Sequence, residues 1–258
     1  MTGNTTLKGS AVKFNAAATG TGTLIVDGAA TIKGGTVTTT GAQTFNDAVT
    51  LGNDTTLSGV RITLASTVKS DGTNRSLSIN DSGTTTLGGP IGATPLGNLS
   101  ITTGTALALP TTTLDTGKNL TIVAGGNITQ TGAITVSGNA TLTAPGANIL
   151  LTNTGNNFSG TVAFTGANVD LQSAFNLVLA ASSATGTLNL VGLNLSQTGP
   201  ITAGGNTTLS AADITLSNAA NSFGGTVAFT GANVALTDST DLVMAGGNAT
   251  GTLNLVTG

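Results

Sequence analysis

Cysteine, histidine, tryptophan, tyrosine and glutamate are all missing from this 258-residue chain, and each absence excludes something. Without cysteine there is no disulfide framework and no thiolate metal site. Without histidine the usual neutral-pH general base is gone, and with it the serine triad and histidine metal chemistry. Lack of tryptophan and tyrosine removes the side chains that most often stack on sugar rings, and leaves seven phenylalanines as the only aromatics. Charged residues make up 7%, where a cytosolic enzyme carries about a quarter. No apolar run reaches the roughly 18–20 residues of a membrane-spanning helix, so membrane insertion is not expected. The opening Met1-Thr2-Gly3-Asn4-Thr5-Thr6 has no apolar stretch of the kind a signal peptide needs.

The few charges are unevenly placed. All seven bases (Lys8, Lys13, Lys33, Arg61, Lys69, Arg75 and Lys118) fall in the first 118 residues beside six Asp, whereas the remainder has four Asp and no base. Nucleic acid needs clustered Lys and Arg to neutralise phosphates, so this distribution argues against it as a partner.

What remains is a small alphabet of Gly, Thr, Asn, Ala and aliphatics. There are 38 Gly, about a fifth of the chain is Thr, hydrophobic residues reach 38%, and the mean hydropathy is +0.30. Disordered chains are rich in charge and poor in β-branched residues, so this composition predicts a folded protein. With so few aromatics, its core must consist of many small aliphatic layers.

Internal repetition is the strongest signal. The nonapeptide TVAFTGANV occurs at 161–169 and again at 226–234, 65 positions later, and ATGTLNLV at 184–191 returns at 249–256 with the same offset. Upstream, Asn127-Ile-Thr-Gln-Thr-Gly matches Asn194-Leu-Ser-Gln-Thr-Gly at an offset of 67. Tandem units with these offsets are therefore read at about 127–193 and 194–258, preceded by less regular material over 1–118, all within one repeat segment.

Between the copies, apolar character is kept at Ile134/Ile201, Leu142/Leu209, Ile149/Ile214, Leu151/Leu216, Val162/Val227, Phe164/Phe229, Val169/Val234, Leu171/Leu236, Leu188/Leu253 and Leu190/Leu255. The residues between the paired positions change freely, as Asp170 to Ala235 and Leu150 to Thr215. Period two is the mark of a strand with one buried face. Short strands separated by Gly, Asn and Ala-Gly-Gly-Asn turns follow, because sharp corners favour residues that tolerate positive φ. The Asp-Gly pairs at 27–28 and 71–72 keep a hairpin alternative open. Gly88–Pro95 is expected to form an irregular loop or a joint between sub-units. The better fit is an all-β, right-handed parallel β-helix (β-solenoid) of about a dozen rungs of roughly 20–25 residues. Three coils of that size would then make one repeat unit.

Thr38–Leu57, Ser82–Leu96 and Asn119–Leu142 resemble the repeats of filamentous-haemagglutinin-like adhesins, large bacterial exoproteins exported by two-partner secretion or as autotransporters. The resemblance implies a parallel β-helix, an extracellular or cell-surface location and a role in adhesion or matrix. The family's secretion domain has no counterpart in these residues. A stiff non-catalytic stalk or repeat module is therefore expected, its partners being further repeats of its own chain or identical subunits end to end, and a host or neighbouring cell surface. A self-assembling extracellular filament subunit is the alternative.

The search for chemistry yields no catalytic, cofactor-binding or metal residues. A polysaccharide-cleaving β-helix enzyme would need an Asp cluster with a base, for which Asp47, Asp54, Arg61 and Lys69 are the candidates if they share a face. Asp238 and Asp241, near Thr237, supply too few oxygens for Ca²⁺, which takes six to eight. A dozen Asn-x-Ser/Thr sequons, Asn98, Asn119 and Asn139 among them, follow from composition. Phe164 and Phe229 are read as core.

Overall fold

The structure is a computed structural model describing residues 1–258. It is an all-β, right-handed parallel β-solenoid of about 13 turns, with no helix of any kind. Every pairing between strands is parallel, so the Asp-Gly hairpins do not form. The chain divides into two compact units, Met1–Ser137 and Gly138–Gly258.

In the second unit each turn has three faces. One face stacks Leu177–Leu179, Asn194–Gln197, Asp213–Leu216, Asn233–Asp238 and Leu253–Thr257. The next in chain order stacks Thr161–Gly166, Ser182–Ala184, Ile201–Ala203 and Ser222–Phe223. The third carries Ile149–Leu151, Val169–Gln172, Leu188–Val191, Thr207–Ser210, Thr226–Gly231 and Val243–Ala249. The step from one turn to the next is not constant along the chain: Ala140 stands beside Val162, Val169 beside Leu188, and Thr165 beside Ser183.

Alternation does the sorting. In Val169–Gln172 the side chains of Val169 and Leu171 are buried while Asp170 faces outward, and Leu188 and Leu190 stack on them with Asn189 outside. The interior column Leu177–Leu195–Ile214–Val234 is at most 2% exposed. Each fully buried aliphatic contributes about 1.5–3 kcal/mol relative to exposure, so many equivalent layers replace one large core. Phe158, Phe164, Phe223 and Phe229 all point inward, as expected for Phe164 and Phe229.

The first unit follows the same rule with longer strands than the sequence suggests. Thr5–Phe14, Leu24–Ile32, Thr55–Leu64 and Leu77–Leu87 are long because each carries its strand pairing around a corner. The register shifts at that corner, between Lys8 and Ala11 in one pair and between Gly59 and Arg61 in another. Glycine makes the bend possible. Gly28 has φ +135°, and a Cβ there would lie 1.7 Å from the Gly9 carbonyl oxygen; at Gly83 the same atom would be 1.8 Å from the Val60 oxygen. Interior columns continue unbroken, as Val26–Phe45–Leu64 and Leu57–Ile79–Ile101–Ile122. Phe14 and Phe45 meet edge to face at 6.2 Å.

Two expectations need correction. Gly88–Pro95 is not a loop throughout: Ile91–Leu96 is a strand whose Ile91 is buried between Val68 and Thr112. Apolar Ile91 is worth a place in the column, and Gly92, with φ +84°, absorbs the irregularity that follows it. Nor do three whole coils make one repeat unit. Turns are shorter than that, and equivalent residues of the two copies fall on different faces: Val169 pairs into the column Leu188–Thr207–Val227, whereas Val234 stands on Ile214.

Candidate functional site

Corners are where a solenoid leaves backbone N–H groups without ladder partners, and Asn side chains meet that need. Asn168 Oδ1 accepts from Thr187 N–H at 2.9 Å and from its hydroxyl at 3.0 Å, one turn on. Asn206 does the same for Thr226 N–H at 3.1 Å, and Asn233 for Thr252 N–H at 3.1 Å and hydroxyl at 2.9 Å. Asn194 accepts from Asp213 N–H, and Asp213 in turn accepts from the Asn233 amide at 2.8 Å. The sequons take part: Asn98 Oδ1 receives Asn119 N–H at 2.9 Å, and Asn139 Oδ1 receives both the N–H and the hydroxyl of Thr161. Asn at a corner is thus a device for joining one turn to the next.

The buried polar residues serve the backbone as well. Asp81, 2% exposed, sits at the register shift: Oδ2 accepts from Ile62 N–H at 2.8 Å and from the Thr85 hydroxyl at 2.9 Å, and Oδ1 from Gly83 N–H at 2.8 Å. Asp238, 1% exposed, accepts from Phe223 N–H through Oδ2 and from the N–H and hydroxyl of Thr240 through Oδ1. A carboxylate holding two or three such donors is stabilised by them and has little capacity left for a ligand. Asn221, fully buried, forms a reciprocal amide pair with Gln197 at 2.8 and 2.9 Å, accepts from Ile201 N–H at 2.9 Å and donates to the Leu216 carbonyl at 3.0 Å. Its counterpart Asn156 is equally buried and donates to the Leu151 carbonyl.

The candidate enzymatic residues are not brought together. Arg61 pairs with Thr84 along the strands Thr55–Leu64 and Leu77–Leu87, while Lys69 stands beside Thr50 in a different strand column. Asp54 Oδ1 accepts from Ser76 N–H, and Asp47 lies exposed in the turn before Val49. Asp241 is exposed while Asp238 points inward, so that pair does not converge either. No group of three or more acidic side chains is placed to hold a metal ion. The charge contact with the best geometry is Arg75 on Asp71, at 3.1 Å through both guanidinium Nε and Nη2. Those hydrogen bonds, chiefly, hold the exposed Asp71 carboxyl below its ordinary value.

Three surface features remain. A shallow groove of about 380 Å³ runs beside the Asp81 corner, lined by Thr39, Ser58, Val60, Asn80 and Thr102 among others. Phe175 and Leu193, 52% and 53% exposed, sit on successive turns, joined by the hydrogen bond from Leu193 N–H to the Phe175 carbonyl. Thirdly, the turn over 243–257 exposes apolar side chains: Val243 and Leu253 at 53% and Leu255 at 38%. The matching Leu188 and Leu190 are buried at 1% and 0% beneath the next turn. The sequence reading passed over Asp81, Asn156, Asn221 and Phe175. For the Asn pair a signal existed, since Asn156 and Asn221 are equivalent in the two copies, each two positions before an inward Phe. For Asp81 there was none.

No curated protein and no solved structure matches the chain. A family model does, twice in succession, over residues 96–165 and 166–230. These segments cover just over half of the chain and are close in size to the units found by inspection. The chain therefore belongs to the family described as repeats of unknown function, DUF5649.

Proposed function

We propose that this chain is a non-catalytic structural module, a length of stiff repeat in a secreted or surface-attached bacterial adhesin-type protein. The observation carrying this reading is where the polar chemistry goes. Asn at the corners and the buried Asp81, Asp238 and Asn221 all bind backbone groups of neighbouring turns. Polar side chains committed to the scaffold favour a protein whose product is its shape. The adhesin assignment rests on the likeness of Thr38–Leu57, Ser82–Leu96 and Asn119–Leu142 to filamentous-haemagglutinin-like repeats, and an extracellular location comes with it.

A second reading has its own support. Parallel turns of this kind can stack on further turns through their strand edges, whether those belong to the same chain or to an identical subunit placed end to end. In the latter case the chain is a filament subunit. Electron microscopy of the purified protein separates the two: isolated short particles at all concentrations reject the filament, and concentration-dependent elongation favours it. Turnover on a panel of polysaccharides, abolished by Asp47→Ala or Asp54→Ala, would refute the non-catalytic reading.

A further inference from the structure

The sequence repeat and the three-faced coil are out of phase. Thr165 and Thr230 are equivalent by sequence, each following Thr-Val-Ala-Phe. From Thr165 the column runs Ser183, Thr202, Ser222, three turns along one face. Thr230 belongs to another column, Ser210, Val191, Gln172, on the face that follows. The same step separates Val169 from Val234. Val169 leads through Leu188 and Thr207 to Val227, while Val234 stands on Ile214 and Leu195. Leu188 and Leu253 repeat the pattern, the latter pairing with Val234. One sequence repeat thus spans three turns and one further face.

We infer that the sequence repeat is a phase-shifting device, in which each copy presents its outward side chains one face further round the coil than the copy before. Three such steps return to the starting face. Any partner recognising an outward feature of the repeat meets it at three angles, so an array of these units offers a three-sided display and not a single binding edge. A repeat of three whole turns would put every copy of a feature in one line, within about 14 Å of the next at about 4.8 Å per turn. The phase shift also shapes the core. Equivalent inward residues serve on different faces: Val169 stacks on Leu188 in one column, while its counterpart Val234 stacks on Ile214 in another. This inference stands on strand register alone and does not depend on the adhesin reading.

Paired spin labels on the full chain test it. T165C/S222C places two labels three turns apart on one face, at about 14 Å between backbones. T165C/T230C joins sequence-equivalent sites at nearly the same axial separation but on adjacent faces. The second pair is expected to read at least ~10 Å longer, since the labels point away from different sides of a coil about that thick. Equal distances in the two pairs would overturn the inference. Should S222C disturb the fold, T165C/T202C, two turns apart on the exposed face, supplies the same-face reference.

Discussion

At the residue scale the informative side chains are those whose polarity contradicts their position. Thr207 occupies an inward column between Leu188 and Val227, and its hydroxyl oxygen is buried with no partner. Leaving such a group unsatisfied costs about 1–3 kcal/mol. Thr207→Val keeps the branched shape and removes the penalty, so it is expected to raise stability by about 1 kcal/mol, read as a higher urea midpoint with an unchanged slope. Gln43 has the same complaint at Oε1, but its Nε2 donates to the Val37 and Ser58 carbonyls, so truncation there would lose two good bonds. Asp81 and Asp238 each accept three hydrogen bonds from backbone and hydroxyl groups, so their burial is compensated within the scaffold. None of this was legible in advance: alternation says that a residue faces inward, but not which corner amide waits for it.

At the element scale the design problem is the corner. Several corners are separate turns capped by Asn, but the long strands of the first unit bend without breaking. There the backbone of one turn passes so close to the next that a Cβ at Gly28 would overlap the Gly9 oxygen. Gly28→Ala is expected to destabilise by about 1–3 kcal/mol through positive-φ strain plus the clash, measured as a lowered melting temperature. Ala in place of Gly146, which also has positive φ but open space around it, should cost less because only the strain applies. The sequence announced the strands correctly by their period of two and announced the turns by composition. It misjudged the 88–95 stretch because Gly-Gly-Pro-Ile-Gly reads as loop when the column waiting for Ile91 is not known.

At the scale of the molecule the turns add. Solenoid stability is close to a sum over turns and their interfaces, so local changes stay local. Because equivalent residues of the two copies already serve on different faces, removal of one whole repeat should be tolerated even though it turns all later residues by one face. Deleting 161–225 joins Gly160 to Thr226, the same Gly-Thr-Val-Ala-Phe sequence that the chain already contains. The shortened protein is expected to keep a β-rich dichroism spectrum and a melting temperature near that of the parent. Collapse to an unfolded chain would mean that residues cannot be exchanged between faces. Each of the two units carries its own stacked columns, so hydrogen exchange should protect inward strands in both, Leu57–Ile79–Ile101 in one and Leu171–Leu190–Leu209 in the other.

By itself the sequence determined the alphabet of the core, the two-residue period, the existence and length of the repeat and the parallel solenoid that these imply. Such properties are local or periodic, and a single chain displays them directly. Tertiary structure alone decided how much chain each turn takes up, and hence that the repeat and the coil run out of step. That quantity depends on what each corner consumes as one turn settles on another, a packing outcome set by Gly contacts and Asn caps between strands of successive turns.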